Sequence, residues 1–297
     1  MKNTRLVPLF LLLSAHALAA SEGLDPAALA KASGFQGQAD VKAGTYKISL
    51  PRSGLGVAVG GVTVPSAMGL TALASFMGTK EKTVFVGKVP LRENEVNGAL
   101  SEALHAGFDV TSLHNTFLWD SPRAMSLHFS GSGKQDAVAS AVGAFLRKCL
   151  AGGFASAKAS AVKLDLRRNA LDLKIIHRLL WKGELEGGVY KISTGRGTEL
   201  DGKEVGESMG VESWASFAGT TERAVVSGDL AMLEFEMKDV LKALIEARIN
   251  VVSIHTHFIR ETPRIMFVHY WGTGPLEKLA DGLRAALYAQ KNFRGSQ

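Results

Sequence analysis

Three histidines near the C-terminus have a spacing that suits metal chemistry. His255 and His257 lie two residues apart in a run rich in Val and Ile, and such a run predicts a β-strand. Side chains at i and i+2 of a strand leave by the same face, so both imidazoles look one way. His269 follows on a second strand-like run, after a Pro-containing turn, which makes the pair a hairpin. If the register sets His257 against His269, three imidazoles meet; a one-residue slip sends His269 to the other face. Three imidazoles suit Zn²⁺, Cu²⁺ or Ni²⁺. Glu234 or Glu236, just before a predicted helix, could complete the shell or act as general base on a metal-bound water. A plainer reading stays open. A histidine on a sheet face can bond an acid or a carbonyl and hold helix to sheet, and two glutamates at a helix start suit its dipole.

The same constellation occurs earlier in a thinner form. His114, His128, Glu93 and Glu95 correspond to His255, His269, Glu234 and Glu236, but Thr116 stands where His257 would be. Arg123 and Arg264 each follow a proline in the hairpin turn. Either could clamp an anionic ligand in bidentate fashion, or pair with the local acid, Asp120 or Glu261, and fix the turn. The small-ligand candidates are therefore His114, His128, Arg123, Arg264, Glu93 and Glu95. Gly131-Ser132-Gly133-Lys134 invites a nucleotide reading and fails it: His128 sits where a P-loop needs its first glycine, and no Ser or Thr follows the lysine. No nucleotide cofactor is expected.

These correspondences belong to a tandem duplication. Met68-Gly69, Ser75-Phe76, His114, Phe117, Pro122-Arg123 and His128 recur at a constant offset of 141 as Met209-Gly210, Ser216-Phe217, His255, Phe258, Pro263-Arg264 and His269. Tyr46-Lys47-Ile48-Ser49 recurs as Tyr190-Lys191-Ile192-Ser193 at 144, so the second copy has lost three residues from the intervening loop.

The elements that position these residues read alike in both copies. Asp25-Pro26 and Asp172 cap short helices. Strands are expected over 45–50, 55–64 and 83–91, a helix over 96–106 ending at Gly107, a hairpin over 110–130 and a helix over 136–148. The second copy supplies strand 224–232, helix 237–247, hairpin 251–270 and helix 276–289. The order β-α-β-β-α, with an extra N-terminal helix and strands, predicts an α+β fold. It is a duplicated ferredoxin-like unit, with antiparallel sheets carrying helices on one face.

Lys2 and Arg5, a short apolar run and Ala17-Leu18-Ala19 read as a secretory signal over residues 1–19, cleaved before Ala20. The first repeat then spans 20–150, a Gly/Ala/Ser-rich linker 151–165 and the second repeat 166–297. Such a chain is expected in the periplasm or secreted, with no transmembrane segment. Cys149 is the only cysteine, which excludes an internal disulfide and a Cys-based metal site. A net charge of +6, scattered and not interleaved with aromatics, argues against a nucleic-acid partner.

The blocks Leu113-His114-Asn115-Thr116-Phe117 with Asp120-Ser121-Pro122-Arg123 and Leu127-His128, and Ile254-His255-Thr256-His257-Phe258 with Glu261-Thr262-Pro263-Arg264 and Val268-His269, resemble the LppY/LpqO family of bacterial proteins. Trp214-Ala215-Ser216-Phe217 and Gly228-Asp229-Leu230 add to the likeness. It covers nearly the whole chain, twice, and implies no activity, since that family's function is unknown. Members tend to carry a full His-Asn-His block, which neither copy has, and this chain lacks a lipidation cysteine. Three functions remain: a binder of a metal ion or small anion, a metal-dependent hydrolase using His255, His257 and His269 with Glu234 or Glu236, and a structural envelope protein.

Overall fold

The computed structural model describes residues 23–154 and 170–290, so the expected signal and most of the expected linker lie outside the described residues. Twelve strands form one antiparallel sheet. They are β1 (Gln38–Asp40), β2 (Thr45–Pro51), β3 (Thr71–Gly78), β4 (Thr83–Arg92), β5 (Asp109–Asn115) and β6 (Ala124–Gly133), then β7 (Glu184–Glu186), β8 (Val189–Gly195), β9 (Glu212–Gly219), β10 (Ala224–Leu233), β11 (Asn250–His255) and β12 (Ile265–Gly274). Their order across the sheet is β1-β2-β3-β4-β6-β5-β11-β12-β10-β9-β8-β7. That order is a palindrome of the two copies. At its centre Leu113 pairs with Ile254, its own equivalent, so a pseudo-twofold axis passes between β5 and β11.

Six helices cover one face: α1 (Pro26–Ser33), α2 (Val96–His105), α3 (Gln135–Leu150), α4 (Leu173–Leu179), α5 (Met237–Glu246) and α6 (Leu276–Tyr288). Asp25 caps α1 by accepting from the amides of Ala27 and Ala28, with Pro26 in the first turn and Gly34 left-handed at the end. On α5, Val240, Leu241 and Leu244 recur at helical spacing and are all buried. Alternate residues of β10 (Val226, Leu230, Met232) and β12 (Met266, Val268, Tyr270) meet them in one core spanning both halves. Each fully buried Leu, Val or Phe contributes roughly 1.5–3 kcal/mol, so the core accounts for a disulfide-free fold. Gly87 and Gly228 serve this packing: a Cβ there would lie 2.3 Å from the Phe129 ring or 2.1 Å from the Tyr270 hydroxyl.

The opposite face is open except where the long β2–β3 and β8–β9 connections fold over it. They build two small cores, one of Leu55, Val57, Leu70 and Ala124, the other of Val205, Val211, Ala231, Ile265 and Phe267. Residues 55–64 are not the sheet strand expected. They form a 3₁₀ turn (Ser53–Leu55) and two-residue strands (Ala58–Val59, Val62–Thr63) of a separate small sheet. The sheet strand is β3, whose inward residues Ala72, Ala74 and Phe76 are mostly too small to give a strong strand signal.

One buried ion pair fixes each connection. Arg52 holds Glu95 in bidentate geometry (2.9 and 3.1 Å), and Arg196 holds Glu236 at 3.0 Å. The same carboxylates accept the amides of Arg92 and Leu233, each at 2.8 Å, at the entry to α2 and α5.

Candidate metal centre

Asp229 lies mid-strand in β10, on the face away from the helices, and is 2% exposed. In register it sits opposite His269 of β12, and His269 in turn pairs with Ser253 of β11. His255 ends β11 and His257 follows two residues later. The hairpin register is thus displaced from a His257–His269 pairing by an even step, which keeps all three histidines on one face.

The three imidazoles converge on one carboxylate oxygen. Asp229 Oδ2 lies 3.4 Å from His269 Nδ1, 3.6 Å from His257 Nε2 and 3.8 Å from His255 Nε2. The last two nitrogens are 3.1 Å apart. Ligands held about 2.0–2.1 Å from a tetrahedral zinc ion lie about 3.4 Å from one another, so the spacing fits such an ion. Asp229, His255 and His257 together offer three donor atoms within 4.8 Å of one another. Asp229 Oδ1 is buried, with no group in hydrogen-bond geometry to it among the described residues.

Electrostatics agree with that use. Burial lifts the Asp229 carboxyl to about 6, against the pull of His269 and the nearby amides of Leu230 and Val268. Burial, then His269 and His257, push His255 down to about 4. Burial, then His269, lower His257, while the carbonyl of Gly210 raises it. These two imidazoles are neutral at neutral pH, with lone pairs available. A second layer holds them. The His257 ring stacks on Phe267 with centroids 3.5 Å apart, and Ser253 Oγ meets His255 Nδ1 at 3.3 Å. His257 and His269 keep side-chain exposures of 37% and 46%, so the centre opens to solvent.

The acid of the cluster is Asp229, not Glu234 or Glu236 as the sequence suggested. Glu236 is buried and engaged by Arg196 and the Leu233 amide. Glu234 is exposed and lies 3.9 Å from Arg264, which also approaches Glu261 at 4.0 Å. Glu95 likewise belongs to its ion pair with Arg52, and Glu93 and Arg123 are exposed. The reading of Arg264 as a partner of the local acid therefore holds, and Glu95 and Glu236 are structural. Asp229 carried a usable signal: it is the one charged residue of a mostly apolar strand, where charge is rarely buried without a partner.

In the first half His114 Nε2 and His128 Nε2 approach to 3.2 Å on the same face. The position of Asp229 is taken by Lys88, paired with His128 as Asp229 is with His269. Thr116, in the place of His257, bonds Ser126 at 2.9 Å. Arrangement and face are duplicated; the donor set is not.

No curated protein matches the chain. Among solved structures, a trimeric bacterial microcompartment shell protein, PduB, aligns over 85% of this chain and 89% of that one at 10% identity; its TM-score of 0.20 carries no argument. The profile of one family matches residues 27–148 and again 174–289, one match to each half of the sheet. The chain belongs to that family, described as Domain of Unknown Function (DUF1259).

Proposed function

We propose that this protein binds one divalent transition-metal ion, zinc, copper or nickel, through Asp229, His255 and His257, with His269 against the same carboxylate. The observation that carries the reading is the buried Asp229 carboxylate. It is ringed by three imidazoles at 3.4 to 3.8 Å and has no fixed cation beside it. Burying a carboxylate costs several kcal/mol unless a cation compensates, and the neutral imidazoles of His255 and His257 do not. A divalent ion supplies the charge and uses the lone pairs at once. Hard ions such as Mg²⁺ and Ca²⁺ are disfavoured by a set dominated by nitrogen.

Binding ranks ahead of hydrolysis because Glu236 is committed to Arg196 and Glu234 pairs at the surface with Arg264. Neither serves as the general base that a metal-bound water would need. Residues 1–19 read as a secretory signal, so the binder is proposed as an exported protein of the LppY/LpqO type, whose repeats are built on a β-α-β-β-α, ferredoxin-like order. Metal analysis of tag-free protein tests the binding, and N-terminal sequencing of the mature chain, expected to begin at Ala20, tests the export.

A further inference from the structure

We propose that the equivalent position in the first half, built from Lys88, His114 and His128 with Thr116 and Ser126, binds a small oxyanion, a phosphate or carboxylate group. This site is distinct from the metal centre, and the inference does not depend on that reading.

Taken position by position, the first half keeps the two histidines and exchanges three of their neighbours for hydrogen-bond donors. Lys88 replaces the carboxylate of Asp229, Thr116 replaces His257, and Ser126 replaces Phe267. A site that differs from its twin by an ammonium in place of a carboxylate has its electrostatic preference reversed. Ser126 is buried, His128 half-buried and His114 exposed, so the cluster is partly desolvated yet reachable.

The geometry presents these donors together. His114 Nδ1 bonds the carbonyl of Asn115 at 2.8 Å, which fixes the ring with Nε2 facing His128 Nε2. The two rings stack with centroids 5.2 Å apart. Lys88 Nζ donates to the carbonyl of Gly69 at 3.3 Å and keeps two N–H groups for other acceptors. Among the described residues no carboxylate contacts Lys88, His114 or His128. Burial lowers the basicity of His128 first, and the charges of His114 and Lys88 lower it further; that second contribution is the mark of a positive local potential. Such a potential repels a metal ion and attracts an anion. Lysine supplies a point charge, and the Thr116–Ser126 hydroxyl pair, with one O–H left over, supplies direction; an anion at the two rings would take the Nε2–H that His114 and His128 now share.

The test uses the full chain, freed of metal by chelation and exchanged out of chelator. Inorganic phosphate, and separately acetate, are titrated while the histidine ring protons are followed by NMR, with assignments from His114→Gln and His128→Gln. Saturable shifts confined to His114 and His128 are expected, with affinity about tenfold or more weaker in Lys88→Met. Lys88→Arg keeps the charge, so it should retain binding and show that loss in Lys88→Met is not misfolding. Asp229→Asn should bind like the wild type. Whichever anion binds tighter identifies the group as tetrahedral or planar. Absence of saturable shifts with either anion, unchanged affinity in Lys88→Met, or zinc binding at His114 and His128 in the wild type overturns the proposal.

Discussion

Lys88 and Asp229 occupy the same register position in the two halves of the sheet, each opposite an equivalent histidine, and carry opposite charge. The fold around them is duplicated down to the buried ion pairs Arg52–Glu95 and Arg196–Glu236. The chemical difference between the two clusters therefore rests on a few side chains placed by a common frame.

Asp229→Asn removes the buried charge and one ligand while keeping the shape. Metal affinity should fall by about a hundredfold or more. Stability of the metal-free protein should hold or rise, because the unpaired buried carboxylate is gone. Thermal denaturation with and without zinc reads both. A variant destabilised in the absence of metal would show that Asp229 is a packing residue instead.

Lys88→Asp combined with Thr116→His rebuilds the second-half donor set in the first half. The double variant should bind two metal ions per chain where the wild type binds one, measured by calorimetric stoichiometry. A stoichiometry that stays at one would mean the first-half backbone does not hold the ligands closely enough, despite its equivalent register.

The pH dependence follows from protons competing with metal on the ligands. Asp229 is raised to about 6 and His255 lowered to about 4. Well above pH 6 both are in the ligating form, so affinity should be nearly flat. As pH falls through about 6, Asp229 takes a proton and affinity should drop about tenfold per pH unit, steepening further as His257 and His255, both lowered by burial, are protonated. Isothermal titration in buffers of different ionisation enthalpy counts the protons. Two or more released per metal near pH 6 would contradict the account.

Arg196→Met leaves Glu236 buried without its cation. Such a loss costs about 3–5 kcal/mol, and it should appear in chemical denaturation with metal affinity nearly unchanged. A large loss of metal affinity at intact stability would return Glu236 to the centre.

Much of this was legible in the residues. The constant offset of 141 announced the duplication, and the caps at Asp25 and Asp172 fixed where helices start. His255, His257 and His269 were readable as one face because strand parity survives any even shift of register. That Asp229 joins them was not, because although an acid within a strand stands out, its contact with those histidines crosses from β10 to β12 and depends on strand order, which no local pattern encodes. Glu234 and Glu236 sat close in sequence and drew the role instead; Glu236 caps its helix locally through the Leu233 amide, but its pairing with Arg196 spans 40 residues and spacing does not show it. β3 was missed because Ala72 and Ala74 give a strand's parity without its usual bulk.

The most direct measurement is the metal content of tag-free protein, purified without chelator, by elemental analysis beside Asp229→Asn. The account predicts close to one equivalent of zinc, copper or nickel per chain in the wild type and almost none in the variant. No bound metal and no uptake on titration, or an equal content in both proteins, would contradict it.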